Sequence, residues 1–140
     1  MVKKRSGDPW MPAPAYGQGL TGLSVNLLVS DIPTAVTFAE IVLTAKAVYA
    51  DPDFAVLRIA TVSCTAEWML HADHTYADHP LSGFVQGQTG RGMGAEFRLH
   101  GLDPDGAEDR ARAAGYTVLA GAADKPHGLR EVCILDDDGY

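Results

Sequence analysis

Two kinds of hydrophobic pattern take turns along the chain: alternation with a period of two, and apolar residues recurring every three or four positions. Leu23-Ser-Val-Asn-Leu-Leu-Val-Ser30 alternates. It predicts a strand with Leu23, Val25, Leu27 and Val29 on one face and Ser24, Asn26, Leu28 and Ser30 on the other. Asp31 and Pro33 then signal a helix start, because the carboxylate can accept otherwise unpaired backbone N–H groups. Residues 33–43 follow with Ala35, Phe38, Ala39 and Val42 at i, i+3, i+4 and i+7, the stripe of an amphipathic helix. A strand at 46–49, a turn at Asp51-Pro52-Asp53 and two strands rich in β-branched and aromatic residues, 54–60 and 61–71, complete a first unit.

Residues 72–92 have no sustained period. The second half then repeats the order of the first. Glu96-Phe-Arg-Leu-His100 alternates, predicting a strand with Phe97 and Leu99 beneath a helix and Glu96, Arg98 and His100 on the opposite face. A one-residue slip would exchange the two faces. Asp103-Pro104 opens a helix striped by Ala107, Ala111 and Ala114 and ended by Gly115. Strands at 116–120 and 129–135 and a tight turn at Asp136-Asp137-Asp138-Gly139 follow. Strand, Asp-Pro, helix and strand thus occur twice, about seventy residues apart, as in an internal duplication.

Four strings in that order, VNLLVSDIPTAVTF (25–38), DPDFAVLR (51–58), AEFRLHGLDPDGAEDRARAAGYTVL (95–119) and HGLREVCILDDDGY (127–140), give the chain its family look. It resembles the vicinal oxygen chelate superfamily, the glyoxalase / bleomycin resistance / extradiol dioxygenase fold. The resemblance implies an α+β protein: paired βαβββ modules forming a curled sheet around a central cavity, in a homodimer whose modules pair within one chain or are swapped between two. The expected organisation is a flexible N-terminal arm (1–21), a first module (22–75), a connecting loop (76–93) and a second module (94–140). The last strand of that module is either clipped or absent, since the sequence stops at Tyr140. Three departures stand out. Ala39 follows Phe38 where the family usually has Tyr, Thr44 follows Leu43 where it usually has Gly, and Asp137 replaces the usual proline of its last turn.

In metal-dependent members, four strands each supply one ligand. Carried over, those positions fall on Ser24, Met69, Glu96 and a point about three residues past Tyr140. Only Glu96 is a competent donor, so neither a metal nor another cofactor is expected. His71, His74 and His79 lie in a polar loop without zinc-site spacing. Nucleophile elbows, Walker loops and dinucleotide fingerprints are absent from the sequence. Gly90-Arg-Gly-Met-Gly94 precedes a strand instead of opening a helix, which suits a hinge between modules better than a phosphate cradle.

Composition narrows the remaining choices. With 46% hydrophobic and 21% charged residues the 140-residue chain is an ordinary globular protein, and its net charge of −7 disfavours nucleic acid as a partner. No apolar run is long enough to span a membrane, and no apolar segment follows Lys3-Lys4-Arg5 as it would in a secretory signal, so the expected location is the cytoplasm. Cys64 and Cys133 are expected as buried free thiols.

The resulting functional expectation is a metal-free protein that binds a small, partly aromatic or cationic molecule, an antibiotic or other natural product among the candidates. Asn26, Leu28, Trp68, Met69, His71, Glu96, Arg98 and His100 are the candidate ligand-binding residues, and Tyr76 and Phe84 are aromatic candidates for the cavity edge. For Trp68 a core position is the competing reading. The alternative is a superfamily enzyme, a lyase, isomerase or dioxygenase, using a divalent metal or Glu96 or His100 as base.

Overall fold

The computed structural model describes residues 10–62 and 65–140. Four strands, β1 (Asn26–Val29), β2 (Lys46–Ala50), β3 (Phe54–Ala60) and β4 (Thr65–Ala72), form one mixed sheet in the order β1-β4-β3-β2. β1 runs parallel to β4, and the other neighbours are antiparallel. A first helix, α1 (Ala13–Gly19), precedes the sheet, and α2 (Ile32–Leu43) connects β1 to β2. Asp31 caps α2 as its sequence suggests, accepting from the Thr34 N–H at 2.9 Å and the Thr34 hydroxyl at 2.6 Å. These bonds hold the Asp31 carboxyl below its ordinary pKa.

α2 buries Ile32, Ala35, Phe38, Ala39 and Val42. Against it lie Val29, Ala55, Leu57, Ile59, Leu70 and Ala72, alternate residues of β1, β3 and β4. The helix ends on Thr44 at φ 54°, ψ 29°, with the Ala45 N–H reaching back to the Ala39 carbonyl at 3.0 Å. That left-handed position is where glycine would avoid the clash between Cβ and the backbone.

The second half is built on α4 (Pro104–Ala114), packed on a hairpin of β5 (Thr117–Asp124) and β6 (Arg130–Leu135). α4 has the Asp103 cap and Gly115 terminus expected of it. Its Ala107 and Ala111 meet Phe38 and Val42 of α2 in a second core, which Tyr116, Val118, Val132 and Ile134 extend. Arg110 crosses from α4 to donate to the last α2 carbonyls, Ile41 and Val42, at 2.9 Å each. The halves therefore dock helix to helix, and each sheet turns its other face away from that core.

Several expectations need correcting. Residues 96–100 form no strand. A strand needs a hydrogen-bonding neighbour, and among the described residues β6 pairs only with β5. Leu99 packs on the first core, but Phe97 is 48% exposed beside Tyr140 instead of lying under a helix. Within the N-terminal arm, the described part contains α1 in place of an extended chain, with Pro12 and Pro14 at its start, where a missing N–H costs nothing. Cys133 is exposed, because Val132 and Ile134 on either side of it face α4 and alternation turns it outward. Cys64 lies outside the described residues.

The glycine-rich 90–94 segment forms a backbone junction with the C-terminal turn. Arg91 and Gly92 donate to the carbonyls of Asp138 and Gly139 at 2.9 and 3.0 Å. A Cβ on Gly92 would sit 2.7 Å from the Gly139 oxygen, so only glycine permits this approach. Between β4 and this junction lie a single 3-10 turn (Asp73–Tyr76) and a one-turn helix, α3 (Ser82–Val85).

Candidate functional site

Strand register decides which side chains meet on the sheet face away from α2. Asn26 lies beside Met69 and Leu28 beside His71 across β1–β4, while Phe54 lies beside His71 and Val56 beside Met69 across β3–β4. Paired residues point to the same side of a sheet, so all six share this face. A cavity of about 190 Å³ opens on it, with Phe54, Met69, His71 and Tyr76 as its floor and Trp10, Met11, Tyr16 and Leu20 among its other walls.

His71 is the polar centre, only 2% exposed. Its Nδ1 lies 2.5 Å from the Asn26 side-chain oxygen. The other ring nitrogen, Nε2, lies 3.4 Å from the Tyr76 hydroxyl. The imidazole is clamped between rings, 4.7 Å from Phe54 and 4.6 Å from Tyr76, the latter edge-on.

Tyr76 owes its position to the 3-10 turn. Arg91 holds the first residue of that turn, Asp73, through two bonds of 2.8 and 2.9 Å and also donates to the Leu28 carbonyl at 3.0 Å. The Thr75 hydroxyl donates to the Ala72 carbonyl at 2.8 Å, and His74 meets fully buried Asp53 at 2.6 Å. Phe54 is fixed by the Asp51 turn, whose carboxylate accepts from the N–H groups of Asp53 and Phe54 at 2.8 Å each. Along β3 and β4, Arg58 and Glu67 pair across the strands at 2.6 Å. Burial, reinforced by the nearby Glu67 charge and opposed by Arg58, pushes the Tyr16 hydroxyl above its ordinary pKa.

Of the residues singled out from sequence, Asn26, Leu28, Met69 and His71 come together here, with Tyr76. Trp68 does not join them: the alternation that turns Met69 inward sends it to the α2 side, against the first core. Arg98 and His100 border a separate hollow of about 80 Å³ with Ile59, Thr61, Ala66 and Leu99. Glu96 pairs with Arg98 at 3.0 Å, and Arg98 also bonds Glu131 on β6. Phe84 is 77% exposed on α3. Phe54, Trp10 and Tyr16 were missed. Phe54 joins the site only through the β3–β4 register, and the two N-terminal rings sit in a stretch whose prolines and glycines hide a helix.

The backbone superimposes on several solved structures. UcmS2 aligns with a TM-score of 0.61 at 19% identity, over 86% of this chain and 95% of that one. A glyoxalase/bleomycin resistance protein/dioxygenase family enzyme from Burkholderia phytofirmans PsJN aligns at 0.57 and 18% identity, over 82% and 89%. The chain has the vicinal oxygen chelate fold. TioX from Micromonospora sp. ML1 shares it at a TM-score of 0.55 and 19% identity, over 86% and 90% of the two chains. No family model and no curated protein matches the sequence, so the likeness is one of fold.

In the vicinal oxygen chelate fold the cavity face of the sheets is where metal-dependent members place their ligands, and the residues of this chain do not fit that role. Ser24 is exposed ahead of β1, Met69 offers a thioether to the cavity, and Glu96 is 73% exposed and engaged by Arg98. A divalent ion held by oxygen and nitrogen donors finds no set of them at these positions. The face offers an apolar, ring-lined hollow with one buried imidazole, a combination suited to binding.

Proposed function

We propose that this protein binds a small molecule on the outer face of its first sheet and sequesters it without chemical change, an antibiotic or other natural product with a planar aromatic portion being the expected cargo. The observation that carries the reading is the His71 site. Aromatic and thioether side chains supply contact area, and the imidazole, oriented by Asn26 and Tyr76, supplies one placed polar group. Ligand sites are typically built this way, mostly apolar with a few placed polar groups. A net charge of −7 also suits a cationic portion on the ligand. The proposed setting is the cytoplasm; no helix among the described residues is long and apolar enough to cross a membrane.

We further propose a homodimer. Within one chain the residues around Met69 and His71 and those around Arg98 and His100 line different hollows, and a second copy would pack on apolar surface outside both. Leu23, Met93 and Leu119, 92%, 88% and 62% exposed, are apolar surface that such a copy would cover. Sedimentation at micromolar concentration should give twice the chain mass, and a stable monomer would refute the dimer. For binding, titration with planar heteroaromatic compounds, followed calorimetrically, should saturate for wild type and weaken at least ten-fold in His71→Ala. Absence of saturable binding across peptide, glycopeptide and quinoxaline-type compounds would refute the reading.

A second reading rests on the same imidazole. An imidazole lining a hollow can act as general base toward a carbon next to a carbonyl, which moves the candidate base of an enzyme from Glu96 or His100 to His71. Exchange of such a proton for deuterium, catalysed by wild type and lost in His71→Gln, would select this reading over sequestration.

A further inference from the structure

One side of the cavity is walled by the chain's own N-terminal segment. Residues 10–20 supply more than half of the residues that line it. The Trp10 indole stacks on Tyr49, centroids 5.0 Å apart and planes 17° from parallel, and Tyr16 meets Phe54 edge-on at 5.8 Å. These rings continue through Phe54 to His71, so the segment rests on the same aromatic surface that a ligand would use.

Three features suit this segment to act as a movable cover. No residue of α1 is buried, in contrast to α2 and α4. Gly19 at the end of α1 has open space beside it, and Gly22 sits at φ +65°, a conformation glycine adopts without strain, so the link to β1 can reorient without steric cost. The volume left beneath the segment, about 190 Å³, falls below the range of about 300–1,000 Å³ found for small-molecule sites. One or two rings fill it, and anything larger requires the cover to leave.

We propose that residues 10–20 are an aromatic lid in which Trp10 occupies, on Tyr49, the place a planar ligand ring takes, and that the lid swings about Gly19–Gly22 to admit it. The proposal rests on the reading of this face as a ligand site. The lid competes with the ligand, so its closed population lowers apparent affinity in proportion. A pair of ring contacts of this kind corresponds to roughly a ten-fold effect.

The test uses the full-length protein and N-phenyl-1-naphthylamine, a neutral planar fluorophore. Trp10→Ala should bind it roughly ten-fold tighter than wild type and faster, with a single cooperative urea transition whose midpoint falls by no more than the ten-fold closure, about 1.4 kcal/mol, accounts for. The chain has two tryptophans, so Trp68→Phe protein carrying 5-fluorotryptophan reports on Trp10 alone. On saturation its fluorine resonance should move to the position seen when Tyr49→Ala is added to that background. Equal or weaker binding by Trp10→Ala, or a resonance that saturation does not move, overturns the lid while the ligand site stands. Failure of the fluorophore to bind either protein removes both.

Discussion

Replacing Arg91 with Met removes a cation that joins three parts of the molecule at the edge of the cavity. Its side chain is 2% exposed; it pairs with Asp73, donates to the Leu28 carbonyl on β1 and the Gln88 carbonyl, and lies 3.7 Å from Asp138. Removing one partner of a buried ion pair costs about 3–5 kcal/mol, because the other charge is left without compensation. Two details favour the lower end. Asp73 is 17% exposed and so keeps some water, and the Leu28 carbonyl still accepts from the Tyr140 hydroxyl at 3.0 Å. The expected loss is about 3 kcal/mol, which at an ordinary urea dependence lowers the unfolding midpoint by roughly 1.5 M. Adding Asp73→Asn to Arg91→Met should restore about 1–2 kcal/mol by removing the orphaned charge, a coupling that a double-mutant cycle measures. A loss below about 1 kcal/mol, or no recovery in the double variant, would show that water already screens this pair and that Arg91 does not hold the Tyr76 turn.

Thr44→Gly should stabilise the protein by about 1 kcal/mol in thermal or urea unfolding, since the left-handed conformation costs a β-carbon residue about 1–2 kcal/mol and glycine gives part of that back as chain entropy. Phe38→Ala should cost about 3–5 kcal/mol and Phe97→Ala below about 1 kcal/mol, because the first ring joins α2 to the second core and the second is half exposed; urea midpoints decide. Burial raises the Asp136 carboxyl above its ordinary value of 3.8 against the opposing N–H bonds from Tyr140 and Asp138. A carboxyl raised on folding imposes no cost below its unfolded value and imposes one as pH climbs through its folded value. Asp136→Asn, which keeps the accepting oxygen, should therefore match wild type near pH 3 and gain thermal stability over it by pH 7; a constant difference across that range would contradict this.

Local signals carried much of the fold. The helices α2 and α4 are readable because capping aspartates, prolines and apolar stripes agree, and β3 because its residues are bounded by the Asp51 turn. What failed was information that lies in a neighbour. Glu96–His100 alternates as well as any strand, but alternation does not supply a hydrogen-bonding partner. Cys133 reads as core until its neighbours Val132 and Ile134 claim the inner face. The same limit governed the site. Parity within β1 and β4 placed Asn26, Leu28, Met69 and His71 on one surface, whereas Phe54 joins them only through cross-strand register. Trp68 was separable from Met69 by alternation alone, and its size drew it into the candidate set. Trp10 and Tyr16 are bound to the cavity by tertiary stacking, which no periodicity in a proline- and glycine-rich segment announces.

The central claim is that the working cavity lies on the His71 face of the first sheet and not in the hollow beside Arg98. Methionine methyl NMR tests it directly, because the four methionines are Met1, Met11, Met69 and Met93. Met69 and Met11 line the cavity, and Met93 is 88% exposed on the segment leading to Glu96. In a titration with N-phenyl-1-naphthylamine, ring currents should move the Met69 and Met11 methyl signals saturably and with one affinity, leaving Met93 in place. A saturable shift at Met93 with Met69 unmoved would contradict the account.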